Sequence, residues 1–389
     1  MAAPFDPAAA TADWLSHIPA AQRLAAQNAM DWRMTVWVMG GLVMIGIAAL
    51  IARNDSLGAI RRRLEANGPQ PWLSAVALSG GLTLILLAVS AVIDGLAYWR
   101  ADMVLFAGGG VPKPPGFDVL VAAAASGLPL GVLIAMALVP LWLGLMRWRP
   151  RTWPLFAGGF MTAIILGLSW LPSALGASPA LQPAAASPAR DAVLALIAQT
   201  HLPASGVLAW PAAGLDGDVI GGFGPAKVLM GSDLLAAPPD QASAYVGHLM
   251  GHYVHGDTLI VCLIASLVIT AGFFAMQRWT LPLAKLMCRR PPPDAADPEA
   301  LPALAVIGML TLTVASLAAG AYLRFANYGA DAYSLDNARA PDGLVAILER
   351  TWDHAAVDPN PLEAAVLYTH PPLASRIAHA LAWKAAHGG

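Results

Sequence analysis

The residues best suited to chemistry in this chain are two histidines, His248 and His252, in the run YVGHLMGHYVHGD. On an α-helix, residues four apart lie about 40° apart around the axis and roughly 6 Å along it. Both imidazoles can therefore reach one zinc ion at about 2.1 Å. His255 shares their face, but its seven-residue separation from His248 gives about 10.5 Å of rise, so all three cannot bind one zinc from an undistorted helix. The spacing is compatible with a metal site at His248 and His252, but taken alone it is more typical of packing or of a polar helix face.

The residue after the first histidine determines what such a site can do. In metallopeptidases with this spacing, a glutamate at that position acts as general base on the zinc-bound water. Here the position holds Leu249. Asp257 is nine residues from His248 and points about 180° away on an ideal helix, so we do not expect it to serve this site. The pattern keeps the two metal ligands and lacks the base.

The elements that must position these residues include membrane helices. Of the 389 residues, 57 % are hydrophobic and 12 % are charged. Windows of about 20 apolar residues match the thickness of the hydrocarbon core of a bilayer, which predicts a multi-pass protein in contact with membrane lipid. A net charge of −2 gives no reason to expect a nucleic-acid partner. The predicted spans are residues 34–52, 73–98, 119–146, 153–175, 257–277 and 301–323.

The loops between the spans indicate an orientation. Loops after the first, third and fifth spans are basic, which is typical of cytoplasmic loops. This places both termini and residues 176–256 outside the cytoplasm. The basic residues are Arg53, Arg61, Arg62, Arg63, Arg147, Arg149, Arg151, Arg278, Lys285, Arg289 and Arg290.

The polar segments complete the predicted organisation. Residues 205–211 and 226–230 favour short strands around the glycine-rich turn GLDGDVIGGFGP, with Gly221, Gly222 and Gly224 in a tight turn. Cys262 and Cys288 are too few for a disulfide framework or a thiolate zinc cluster. The predicted order is an amphipathic segment (1–33) with Trp14, Trp32 and Trp37 as interfacial anchors, four spans (34–175), a linker and the motif helix (176–256), two spans (257–323) and a helical tail (324–389).

Several blocks of the chain resemble the membrane-embedded zinc metallopeptidases of the CAAX prenyl endopeptidase and HtpX type. SGVLAWPAAG and DVIGGFGPAKVLMGSDLL resemble the strand, glycine turn and strand that precede the zinc helix of that family, and AYVGHLMGHYVHGD resembles the zinc helix itself. RFANYGADAYSLDNARAPDGLVAILER resembles the helix with the third zinc ligand, and LYTHPPLASRIAHAL resembles the closing motif. The resemblance covers roughly residues 190–386. It implies a polytopic α-helical membrane protein with a small α+β zincin-like metallopeptidase domain, built from 190–256 and 324–386.

The resemblance also assigns roles to single residues. His248 and His252 match the two zinc-ligand histidines. His370 matches a histidine that helps to stabilise the tetrahedral intermediate, and Arg376 matches the basic residue after it. Asp331 matches an aspartate that supports the site from behind the ligands.

Two acidic residues of the family are replaced. The general-base glutamate falls on Leu249, and the third zinc ligand, also a glutamate, falls on Asn327. Asn327 offers only a neutral carbonyl oxygen, a poorer ligand for a divalent ion than a carboxylate. Asp331, one turn further along the same helix face, could take the place of the missing ligand.

Two functions follow as hypotheses. The first is a catalytically degenerate family member that binds peptides or a membrane protein, with zinc weak or lost. The alternative is an active zinc metalloendopeptidase that cleaves membrane or lipid-linked proteins. The expected location is the cell membrane, and in particular a bacterial inner membrane. The relatives imply a site that faces the cytoplasm, in conflict with the arginine pattern, and this conflict stays open.

Overall fold

The computed structural model of the chain describes residues 5–109, 111–174, 181–210, 216–221 and 225–388. In this part of the chain α-helices dominate, and four short strands form one sheet. The first helices are α1 (Pro7–Ser16), α2 (Ala20–Arg53), α3 (Ser56–Leu64), α4 (Pro71–Ala107), α5 (Phe117–Ala125), α6 (Leu128–Trp148), α7 (Trp153–Ala174) and α8 (Pro188–Thr200). The later helices are α9 (Ser232–Leu235), α10 (Pro239–His255), α11 (Asp257–Met287), α12 (Leu301–Ala338), α13 (Pro341–Arg350), α14 (Pro361–Leu367) and α15 (Leu373–Ala386). The strands are β1 (Gln182–Pro183), β2 (Ala204–Ala209), β3 (Gly217–Ile220) and β4 (Ala226–Met230).

Five helical stretches are long and apolar enough to cross a membrane, counted over the described residues. They contain five of the six predicted spans, which supports a polytopic membrane protein. The remaining prediction, 153–175, corresponds to α7, whose apolar stretch Trp153–Ser169 is shorter than the other five, and residue 175 lies outside the described ranges. The five stretches are Ala20–Arg53, Pro71–Ala107, Phe117–Trp148, Asp257–Met287 and Pro298–Ala338.

The chain divides into two compact units. One comprises Asn28–Ala163 and Ile264–Leu317. Its core is formed by apolar side chains that include Leu78, Leu143 and Phe273. The other comprises Met1–Gln27, Ile164–Leu263 and Ala318–Gly389, and it contains the sheet, α10 and the residues predicted to carry the chemistry.

The sheet of this second unit has the strand order β1-β2-β4-β3. Strands β2 and β4 are parallel, and the other two pairings are antiparallel, so that β3 is an edge strand. The predicted strands 205–211 and 226–230 correspond to β2 and β4. The predicted glycine turn is wrong over Gly217–Ile220, which forms β3, because the β-branched Val219 and Ile220 suit a pleated strand and Val219 is buried in the core. Gly222 and Gly224 of the predicted turn lie outside the described residues.

Helix α10 is held between the sheet and α12. Val246 and Met250 are fully buried in a core shared with Val193 of α8 and Val228 of β4. On another face, an added Cβ at Gly251 would lie 2.8 Å from the Ala330 Cα, closer than real Cβ contacts allow. The glycine therefore lets the backbones of α10 and α12 approach closely, which places the polar residues of α12 beside the histidines.

The N-terminal helix belongs to the same unit. Ile18 is buried, and Trp14 packs against a core that includes Leu344, Ile377 and Leu381 of α13 and α15. Trp14 was predicted as an interfacial anchor, but its indole contributes to this core instead, because α1 packs directly against α15.

Candidate metal centre

The first histidine of the pair is fixed by a buried ion pair. Nδ1 of His248 lies 2.8 Å from Oδ1 of Asp331, whose side chain is fully buried. Arg376 of α15 donates from Nε to Oδ2 at 2.8 Å and from Nη2 to Oδ1 at 2.7 Å. Both carboxylate oxygens of Asp331 are thereby engaged. This geometry suits a residue that orients His248 and compensates the charge of Arg376, and it leaves Asp331 poorly placed as a metal ligand.

The second histidine has its own carboxylate, which contradicts the expectation for Asp257. Nδ1 of His252 lies 2.7 Å from Oδ2 of Asp257, and the Tyr322 hydroxyl of α12 donates to Oδ1 of the same carboxylate. The expectation assumed one helix through Asp257. In fact α10 ends at His255, Gly256 adopts a left-handed conformation with φ of 67°, and α11 begins at Asp257. The break turns Asp257 back towards His252.

The spacing of the two imidazole rings is compatible with one shared ion. Their ring centroids are 4.7 Å apart and the ring planes are nearly perpendicular, at 87°. Two imidazoles that each bind one tetrahedral ion at about 2.1 Å have centroids roughly 5 Å apart. In each ring Nδ1 is occupied by a carboxylate, so Nε2 is the nitrogen left for a ligand. His255 contacts the Tyr333 ring instead, at 6.1 Å between centroids.

The protonation state of His248 also suits a ligand. Burial lowers the pKa of His248 to about 4, although the neighbouring Asp331 acts in the opposite direction. A neutral imidazole has a free lone pair for a metal, whereas an imidazolium has none. His248 is therefore ready to bind a cation at neutral pH.

Asn327 is the residue that the family resemblance assigns to the third-ligand position. Its side chain is 2 % exposed, and Nδ2 donates to the Leu323 carbonyl at 2.8 Å. Oδ1 is buried and accepts no hydrogen bond from the described residues. A buried acceptor without a partner is costly, and a cation would satisfy it. The orphaned oxygen and the two imidazoles are donors of the kinds that a divalent ion accepts, and as a set they carry no charge.

A cavity of about 860 Å³ adjoins these residues and lies within this unit. Leu249 lines it where a base would be expected and also packs against the core. Asp218 of β3 lines it as well, and burial raises the pKa of its carboxyl. His370 is exposed at the cavity, where its Nδ1 lies 3.2 Å from the Thr369 hydroxyl. The cavity lining therefore combines the apolar Leu249, at the position expected for the general base, with polar side chains from several elements.

The structure brings together most of the predicted site residues. His248, Asp331 and Arg376 form one hydrogen-bonded cluster, and His252, Asn327 and His370 share the cavity lining. The sequence reasoning missed Asp257, Tyr322 and Asp218. For Asp257 a signal was available, since a glycine after an amphipathic helix commonly ends it in a left-handed conformation. For Tyr322 and Asp218, which come from separate elements, local sequence gave no such signal.

Comparisons with known proteins identify a family and a similar fold. The model of peptidase family M48 matches residues 191–384. A crystal structure of Ste24p from S. mikatae has a similar fold, with a TM-score of 0.56 and 17 % sequence identity, and the match covers 79 % of each chain. No curated protein sequence matches the chain significantly.

Proposed function

The chain is a membrane-embedded member of peptidase family M48, and from this premise we propose that it is a catalytically impaired member that binds peptide segments without cleaving them efficiently. The observation that carries the proposal is Leu249. It lines the cavity one residue after His248, and its side chain can neither accept a proton nor hydrogen-bond a water molecule. A positioned general base contributes about 10²–10⁴-fold to such reactions, so its loss alone removes most of the rate.

The proposed zinc site consists of His248, His252 and Asn327. Zinc held there would supply a Lewis acid that polarises a peptide carbonyl. The imidazoles of His248 and His252 are strong zinc ligands, while the amide oxygen of Asn327 is a weaker ligand than a carboxylate. We therefore expect zinc to bind, but less tightly than in a site with three ligands of which one is charged.

The other site residues support this arrangement. In the proposal Asp331 holds the Nδ1–H tautomer of His248, and Arg376 fixes Asp331. Arg376 acts through Asp331 and is a positioning residue. His370 lines the cavity, and with its Nδ1 near the Thr369 hydroxyl, its Nε2 is the nitrogen that would donate to a carbonyl oxygen of a bound peptide. These groups favour peptide binding even where hydrolysis fails.

A second function is favoured by one observation. The carboxylate of Asp218 lines the same cavity, and its raised pKa is a property of residues that transfer protons. If Asp218 received the proton in place of the missing glutamate, the protein would be an active zinc metalloendopeptidase acting on membrane or lipid-linked proteins. Loss of any measurable cleavage in Asp218→Asn would support this alternative.

The proposed setting is a cell membrane, in particular a bacterial inner membrane. The apolar helices support a multi-pass protein, and the family supports a peptide or a membrane protein as the molecule bound. A membrane protein with an extended polar segment would combine a location in the membrane with a peptide segment that the cavity could bind.

Bound zinc in the purified protein tests the proposal. We expect wild-type protein to bind one zinc ion, with affinity strongly reduced in His248→Ala and reduced less in Asn327→Ala. Asn337→Ala is the matched control, because Asn337 makes the same bond to the carbonyl four residues earlier on α12. A wild-type protein whose zinc affinity equals that of His248→Ala would refute the zinc site.

A further inference from the structure

We propose that Tyr322 and Asp257 are positioning residues for His252, and that Asp257 supplies the charge that Asn327 lacks. This inference rests on the proposed zinc site and deepens it. It concerns three residues from three helices, joined in one hydrogen-bonded chain from Tyr322 through Asp257 to His252.

The first step in the argument is the tautomer of His252. A carboxylate only accepts hydrogen bonds, so Nδ1 of His252 must donate to Oδ2 of Asp257. The proton then lies on Nδ1, and Nε2 carries the lone pair. Metal-binding histidines commonly have this arrangement, in which the partner of the second ring nitrogen fixes the ring and raises its basicity.

The second step is the role of Tyr322. Asp257 is 4 % exposed, and the Tyr322 hydroxyl donates to its other oxygen, Oδ1. With Oδ1 held by Tyr322, Oδ2 remains directed at His252. Asp257 is the first residue of α11, so this bond fixes its carboxylate just past the left-handed Gly256. Tyr322 therefore determines where the carboxylate sits.

The third step is the charge balance around the histidines. Asp331 is paired with Arg376, and this pair is neutral overall. Asp257 forms an ion pair with no lysine or arginine in the described parts of the chain. Its charge is stabilised by the hydrogen bonds that His252 and Tyr322 donate and by the positive end of the α11 dipole. Asp257 thus leaves one net negative charge beside a donor set that is otherwise neutral.

The consequence is a site supported from both sides. His248 is backed by Asp331 and His252 by Asp257, and α12 contributes Tyr322, Asn327 and Asp331 to the support. Attraction from Asp257 offsets part of the affinity lost when asparagine replaces a charged third ligand. A residue of this kind typically changes metal affinity by about 10–100-fold.

The positioning role is tested without metal. In metal-free protein labelled with ¹⁵N-histidine, at mildly alkaline pH, the His252 signals are assigned by their loss in His252→Gln. We expect the Nδ1–H tautomer in wild type and a shift towards the other tautomer in Asp257→Ala, with a smaller shift in Tyr322→Phe. Tyr328→Phe is the control, since Tyr328 lies on α12 against His379. An unchanged tautomer in Tyr322→Phe and in a folded Asp257→Ala would overturn the positioning role.

The charge role is tested by zinc competition with a chromophoric chelator. Asp257→Asn keeps an acceptor for Nδ1–H and removes the charge, so we expect zinc affinity to fall by about 10–100-fold while the tautomer is retained. Asp240→Asn, at the start of α10, should have no effect. Equal affinity in wild type and Asp257→Asn would refute the charge role. Absence of zinc binding in wild type would instead refute the proposed zinc site and with it the charge role, whereas the tautomer experiment would still decide the positioning role.

Discussion

At the scale of single residues, the proposed site has two histidines with their supports, and in the proposal it lacks two carboxylates. Leu249 and Asn327 lie where the family resemblance leads us to expect groups that accept a proton and bind a cation. Their neighbours remain suited to a metal, since Asp331 and Arg376 form a bidentate pair behind His248. The substitutions therefore affect charge and proton transfer more than shape, and each can be reversed separately.

Zinc affinity should rise in Asn327→Glu. A carboxylate is a stronger ligand than an amide oxygen for a divalent ion, and it adds the charge that the donor set lacks. We expect affinity to increase at least tenfold, measured by competition with a chelator. Asn337→Glu serves as control because it adds the same charge on α12, six residues beyond Asp331. Equal affinity in Asn327→Glu and wild type would show that Asn327 does not hold the third-ligand position.

The stability of the protein should depend on Asp218 in a pH-dependent manner. Burial raises the pKa of this carboxyl, so the folded chain holds its proton more tightly than the unfolded chain. Ionised Asp218 therefore destabilises the fold at neutral pH, and this effect vanishes as the pH falls below the ordinary value of about 4. We expect Asp218→Asn to unfold at a higher temperature than wild type at neutral pH, with the difference shrinking on acidification.

Thermal unfolding in detergent, followed by circular dichroism at neutral and acidic pH, measures this difference. Asp216→Asn is the control, since Asp216 is exposed just before β3. A difference in unfolding temperature that stays constant across the pH range would contradict the expected cost of burying the ionised Asp218 carboxylate. A less stable Asp218→Asn protein at neutral pH would contradict it as well.

At the scale of elements, the site depends on how closely α10 approaches α12. Gly247 and Gly251 face Ser334 and Ala330, and the Ser334 hydroxyl donates to the Ala244 carbonyl at 2.6 Å. This approach lets one helix present Tyr322, Asn327 and Asp331 to both histidines. Gly247 and Gly251 of α10 thus allow close helix packing and, through it, the placement of the residues of the proposed metal site.

Gly251→Ala should therefore disturb both stability and the site. Its Cβ would lie 2.8 Å from the backbone of Ala330, so the helices must separate. Overpacking of this kind costs about 1–3 kcal/mol, and we expect zinc affinity to fall as Asn327 and Asp331 move away. Thermal unfolding and zinc competition measure the two effects. Gly81→Ala is the matched control, because a Cβ at this helical glycine meets nothing within 4 Å. Wild-type behaviour of Gly251→Ala would contradict the close approach.

The elements also show what sequence could and could not predict. The apolar spans, β2, β4 and the histidine helix follow from hydropathy, strand patterning and the spacing of the two histidines. β3 was missed because glycines surround its four residues, although Val219 and Ile220 favour a strand. Asp257 was misplaced because an ideal helix was continued through Gly256, where a left-handed residue reverses the direction of the next side chain. The contacts of Tyr322 depend on tertiary packing, which no local pattern encodes.

At the scale of the whole molecule, the protein combines apolar helices with a small α+β domain that carries the family motifs. The fold similarity to Ste24p from S. mikatae extends over 79 % of the chain, beyond the segment matched by the family model. The similarity of fold therefore extends to parts of the chain outside residues 191–384. The side of the membrane that the site faces is a separate question, and the charges of the loops between the helices bear on it.

The orientation predicted by the loops places the C-terminus outside the cytoplasm. Arginines and lysines cluster in alternate loops, and such loops are retained in the cytoplasm. A C-terminal fusion to alkaline phosphatase should therefore be active, and a fusion to green fluorescent protein should be dark. The opposite pair of results would place the C-terminus in the cytoplasm and would contradict the prediction from the basic loops.

The rate of peptide cleavage at saturating zinc tests the central claim, impaired catalysis on an intact scaffold, most directly. A casein-type substrate is incubated with wild type, His248→Ala, Asn327→Glu and the double variant Leu249→Glu with Asn327→Glu. We expect wild type and His248→Ala to be indistinguishable, and the double variant to exceed Asn327→Glu by about 10²–10⁴-fold as the base is restored. Cleavage by wild type that depends on His248, with a double variant no faster than Asn327→Glu, would contradict the account.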